Sequence, residues 1–194
     1  MSEPLILVLQ PDNPSNTKIT DKDTGELVYT VHTEHEKETI TYVKDAEGKI
    51  LAQWEWHDTR SDIVTLGNAK PMPSSVWLRK SLIPFNSSVS FKDDKARSFK
   101  WKGVEGGGQM ELYSSEEKNH PIAAFSKSLR YTDRKVNPPA QVFRDATLTL
   151  GTRAQEITNL VVISFLMLEK TRRMKETSQG SVASALAVQM VDTR

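Results

Sequence analysis

His32, His35, His57 and His120 are the side chains here best suited to metal or general-base chemistry. Their spacing does not gather them. His32 and His35 differ by three, so a strand puts them on opposite faces. His57–Asp58 follows Trp56 at the end of another apparent strand. A metal centre needs ligands that converge, so no metal or cofactor is expected. The chain has no cysteine, which removes thiolate nucleophiles, disulfides and cysteine-ligated zinc or iron–sulfur sites. GVEGGGQ, from Gly103 to Gln109, lacks the GK[ST] of a phosphate loop and opens no helix, so it reads as a flexible hairpin loop. There is no G-x-S-x-G and no H-E-x-x-H. Asn86-Ser87-Ser88 matches a glycosylation pattern that is idle without secretion. No catalytic residue is expected, and the chain reads as non-enzymatic.

Charge is the functional signal that remains. The net charge is +1 over 194 residues, which gives no case for nucleic acid. Its distribution is uneven. Between Arg79 and Lys102, seven cations (Arg79, Lys80, Lys92, Lys95, Arg97, Lys100 and Lys102) stand against Asp93 and Asp94, a local excess of five. The balance up to Leu66 is negative. In SFKWK, a strand sends Ser98, Lys100 and Lys102 to one face and Phe99 and Trp101 to the other. Such a surface suits anionic lipid head groups. A solvated strand face shows the same alternation. The four tryptophans (Trp54, Trp56, Trp77 and Trp101) read as core and cross-strand pairs rather than a ligand groove.

The elements that must position these residues are mostly short strands. LVYTVHT (Leu27 to Thr33) and ETITYVK (Glu38 to Lys44) alternate on either side of a polar turn. KILAQWEW follows an Asp45–Gly48 turn. SVWLRK (Ser75 to Lys80), SVSF, SFKW, QMELY, PIAAFS and ATLTL continue the pattern, and LILVL near the start reads as a first strand, not a secretory signal. About a dozen strands result, spaced as in a sandwich or barrel. Ser128 to Asp145 is polar, contains Pro138–Pro139, and reads as a long surface connection.

One segment breaks the pattern. From Ile157 to Leu168 the chain is apolar on every helical face apart from Thr158, Asn159 and Ser164. Thr152 and Gln155 have capping-box spacing ahead of it, and Lys170, Arg172, Arg173 and Lys175 crowd its far end, suiting the negative end of the helix dipole. A helix apolar all round must be surrounded. Twelve residues span about 18 Å, too short for a bilayer core of about 30 Å. The segment is expected to thread a closed antiparallel β-barrel, with its basic end emerging into water. Ser164 is expected to bond a carbonyl one turn back.

Many short strands followed by a late apolar helix resemble the tubby C-terminal, LURP-one-related and scramblase-like fold, and more narrowly a fungal family of that type. DKDTGELVYTV (Asp21 to Val31), SFKWKGVEGGGQMELY with PIAAFS (Ser98 to Ser126), and NLVVISFLMLEKTRR (Asn159 to Arg173) carry the resemblance. It covers nearly all of Leu5 to Lys175 and implies a mainly β fold, a barrel of about twelve strands around a central helix, so residues 1–176 read as that domain; 177–194 lies outside the resemblance and reads, from its small and weakly charged residues, as a flexible or short helical tail. Relatives of that fold bind phosphoinositides, sit at membranes or have no assigned role. The expected protein is cytoplasmic, not transmembrane, and peripheral at membranes through anionic lipids. The alternative is a structural or protein-interaction module that docks protein partners through the Pro138–Pro139 loop or the tail. An enzyme with a pocket at a barrel end ranks below both.

Overall fold

The structure, a computed structural model, describes residues 3–57, 59–83, 87–105 and 109–191, with side chains up to 179. In chain order the elements are β1 (Leu5–Gln10), β2 (Thr17–Asp21), β3 (Leu27–His35), β4 (Thr39–Asp45), β5 (Ile50–Trp56), β6 (Ile63–Leu66), β7 (Met72–Pro73), α1 (Ser74–Trp77), β8 (Arg79–Lys80), β9 (Val89–Lys92), β10 (Ser98–Lys102), β11 (Met110–Ser114), β12 (Ala123–Ser126), β13 (Leu129–Asp133), β14 (Ala140–Arg144), β15 (Ala146–Leu150), α2 (Thr152–Gln155) and α3 (Thr158–Val191). The fold is mainly β and antiparallel, with a C-terminal helix.

Thirteen strands form one sheet, ordered β7-β6-β5-β4-β3-β2-β1-β15-β12-β11-β10-β9-β8. The expected closed barrel is not completed by hydrogen bonds: β7 and β8 are the two edges and do not pair. Each is two residues long, and Pro73 in β7 has no N–H to give. The connection α1 lies between the edges in sequence. SVWLRK was expected as one strand, but Trp77 and Leu78 are both buried. A strand would send these neighbours to opposite faces, whereas a helical turn and its exit bury both. Trp77 packs on Phe91 of β9, ring centres 5.9 Å apart.

The helix explains why the sheet curves. Nine consecutive residues of α3, Val161 to Glu169, are buried. That is two and a half turns, so every face is covered. Its partners come from both halves of the sheet: Tyr29 OH on β3 donates to Asn159 Oδ1 at 2.7 Å, and Phe125 on β12 meets Phe165 with ring centres 4.4 Å apart. Trp101 Nε1 on β10 donates to Ser164 Oγ at 2.9 Å, and Ser164 Oγ donates to Val161 O at 3.1 Å. At about 1.5–3 kcal/mol per large apolar side chain buried, this segment is a major part of the favourable side of folding.

Three expectations about the helix change. Gly151, not Thr152, holds the N-cap position and gives no side-chain cap. Gln155 Nε2 donates to Glu3 O at 2.9 Å and Leu150 O at 3.2 Å instead of closing a capping box. The basic end does not simply emerge into water, because Glu169 is fully buried and needs partners. Arg172, itself buried, and Arg173 reach it at 2.7 Å each. The helix continues to Val191.

Ser128 to Asp145 is not a plain connection. β13 and β14 form a separate two-stranded sheet, register Tyr131↔Val142, with the proline pair in its turn. The flanking aromatic and β-branched residues pair, while the prolines need not donate. The hairpin roots beside the exit of α3, where Ser128 N and Oγ donate to Asp12 Oδ2 at 2.9 and 2.7 Å.

Candidate functional site

The outer face of β8 to β11 is built by alternation. Phe99 and Trp101 of β10 point inward and are buried, while Lys100 and Lys102 point outward and are exposed. Residues directly opposite across strands share a face. Arg79 faces Ser90, Ser90 faces Lys100, and Lys100 faces Tyr113. This makes one outer row across four strands, with Lys92 beside Ser98 in the next row.

Along this face lies a groove of about 270 Å³, bordered by Lys100, Lys102, Tyr113, Ser98, Ser115 and Lys118. Lys102 Nζ sits 3.8 Å from the centre of the Tyr113 ring, a cation–π contact that holds the ammonium over the groove. Tyr113 OH donates to Glu111 Oε2 at 2.6 Å, which with burial raises the phenol pKa. Glu111 faces Lys102 across the β10–β11 pair. No ion pair engages Lys100, Lys102 or Lys118 among the described residues. Three ammonium groups around hydroxyls and an aromatic ring suit a phosphorylated or carboxylated ligand.

The seven expected cations divide. Arg79, Lys92, Lys100 and Lys102 share the outer face. Lys95 is exposed in the β9–β10 turn. Lys80 instead lines a hollow of about 440 Å³ beside α3, with Ile83, Val89, Leu168, Arg172 and Lys175. Arg97 is committed to structure, with Nε 2.6 Å from Asp93 Oδ2 and NH1 2.5 Å from Glu156 Oε2. Burial pushes the Asp93 carboxyl up, but donors from Arg97 and Lys95 outweigh it and hold the pKa below its ordinary value. The same contacts raise the Arg97 pKa, the Glu156 hydrogen bond most of all. Lys118, missed in the sequence, lies sixteen positions beyond Lys102 and returns to the groove only through the β10–β11 pairing.

The histidines stay apart. His32 Nε2 lies 3.1 Å from Glu34, His35 Nδ1 lies 3.2 Å from Thr39 Oγ1, and His57 Nε2 lies 2.5 Å from Glu55 and 2.6 Å from Arg60. Among the described residues no three histidine, aspartate or glutamate side chains group as metal ligands. Trp54, Trp77 and Trp101 are core residues, and Trp56 is half-buried under Lys170. In the glycine loop, Gly103 has φ +72°, and a Cβ there would lie 2.0 Å from Gln109 O, so the β10–β11 connection requires glycine at that point. The Asn86 sequon lies outside the described residues. Among the described residues no helix is long and apolar enough to cross a membrane.

Comparison with known proteins adds a family and one structural likeness. No curated protein matches the chain. A protein from Arabidopsis thaliana solved by X-ray crystallography is similar at 15% identity with a TM-score of 0.43, over 82% of this chain and 88% of that one. The model of a family of unknown function matches residues 12–174, and the chain therefore belongs to that family, DUF6593.

Proposed function

We propose that this protein is a non-enzymatic, cytoplasmic module that binds anionic lipid head groups through the outer face of β8 to β11. The observation that carries the reading is the groove where Lys100, Lys102 and Lys118 converge without ion-pair partners among the described residues. Its volume of about 270 Å³ suits a head group rather than a whole amphiphile. Each cation near an anionic surface contributes about 1 kcal/mol. The resemblance to tubby-like folds belongs to the same proposal: a sheet wrapped as a barrel about α3 leaves its outside as the binding surface.

The test is co-sedimentation with neutral and with phosphatidylserine- or phosphoinositide-containing vesicles, at low and physiological salt. Salt-sensitive binding to anionic vesicles alone is expected. Lys100→Glu with Lys118→Glu should abolish it without lowering the melting temperature. Lys102 is left in place because it packs on Tyr113 and faces Glu111. Binding that survives the double reversal would put the site elsewhere.

A second reading rests on the β13–β14 hairpin. It stands apart from the main sheet and exposes Leu129, Val136 and Phe143, as a protein-docking arm would. Partner binding insensitive to salt and lost on Phe143→Ser would favour it.

A further inference from the structure

The most exposed large apolar side chains among the described residues are Leu82, 98% exposed, and Ile83, 65% exposed. A single exposed apolar residue is ordinary. These two are adjacent, and they lie in the β8–β9 connection just after Lys80. Its root is fixed, since Ser81 N donates to Ser88 O at 2.8 Å. The pair follows two cations, Arg79 and Lys80. Lys80 faces Val89, and Val89 faces Trp101, the neighbour of Lys102. Two strand spacings, about 10 Å, separate β8 from β10. The apolar pair therefore lies at the end of the sheet where Arg79 and Lys102 border the outer face, and Ile83 also lines the hollow beside α3 that Lys80, Arg172 and Lys175 border.

We infer that Leu82 and Ile83 are an apolar anchor that enters an anionic phospholipid leaflet while the neighbouring lysines hold its head groups. This rests on the lipid-binding reading above and extends it from head-group capture to shallow insertion. Surfaces of this kind combine buried apolar area with attraction to anionic lipid. Charge complementarity selects the occupant. A second copy docked symmetrically through the same patch would set basic face against basic face, whereas an anionic leaflet opposes it with negative charge.

Because the chain has no cysteine, Leu82→Cys can carry an environment-sensitive fluorophore at one site only. Glu47→Cys, exposed in the β4–β5 turn, is the control. On vesicles of phosphatidylserine and phosphatidylcholine, the label at 82 should shift to the blue and the label at 47 should not. Leu82→Ser with Ile83→Ser should weaken vesicle binding at physiological salt by about tenfold or more and leave the melting temperature unchanged. Wild-type protein that sediments with these vesicles while the label at 82 stays unshifted overturns the anchor and leaves the basic face standing. Failure of wild-type protein to sediment at any salt removes the basic-face reading, and the anchor with it. A blue shift that follows protein concentration without vesicles, with a doubled mass by analytical ultracentrifugation, would assign the apolar pair to a second copy instead.

Discussion

Lys170 shows how the fold changes a side chain. It lies at the exit of α3 with Nζ 3.5 Å from the centre of the Trp56 ring. Burial lowers its pKa to about 8, with Asp62 pulling the other way. In the unfolded chain a lysine keeps its proton to about pH 10.4. Between those two values the unfolded state binds more protons, so this group adds stability as pH rises from about 8 to about 10.4 and withdraws it on the way down. With lysines ¹³C-methylated, one resonance should titrate near pH 8; uniform titration near the ordinary lysine value would contradict the burial. Lysine alternation in SFKWK was legible in the sequence because period two fixes which residues face out. The commitment of Arg97 was not, because Glu156 reaches it from 59 positions away.

The helix α3 depends on contacts that a single polar residue makes. Ser164 is buried within an apolar run, and it accepts the Trp101 indole N–H at 2.9 Å. Ser164→Ala removes that acceptor and leaves a buried donor unpaired, at a cost of about 1–3 kcal/mol. For a chain of this size the melting temperature should fall by roughly 2–12 °C. An alanine variant as stable as the wild type would show that the hydrogen bond contributes nothing. The existence of α3 was legible because an all-round apolar helix has to be enclosed. Its cap was not, because the Thr152 and Gln155 spacing says nothing of the Glu3 and Leu150 carbonyls that take the glutamine. α1 and the β13–β14 hairpin were misread for related reasons. Two adjacent buried residues break a strand pattern only once their surroundings are known, and a proline pair marks a turn without showing that its flanks pair.

At the level of the whole molecule, the strands bring Arg79, Lys92, Lys100, Lys102 and Lys118 to one outer surface while the inner surface of the sheet encloses α3. Basic face and core are thus two sides of the same strands, so charge outside can be reversed without disturbing Phe99 and Trp101 inside. That separation is why the proposed head-group site on β10 and β11 is testable apart from stability. The most direct measurement is an amide NMR titration of the intact protein with inositol 1,4,5-trisphosphate as a soluble phosphorylated head group. Shifts concentrated at Ser98, Lys100, Lys102, Tyr113, Ser115 and Lys118, and lost in Lys100→Glu/Lys118→Glu, are the expected result. Shifts confined to β3–β5 or to the β13–β14 hairpin, or none up to millimolar ligand, would contradict a head-group site on this face.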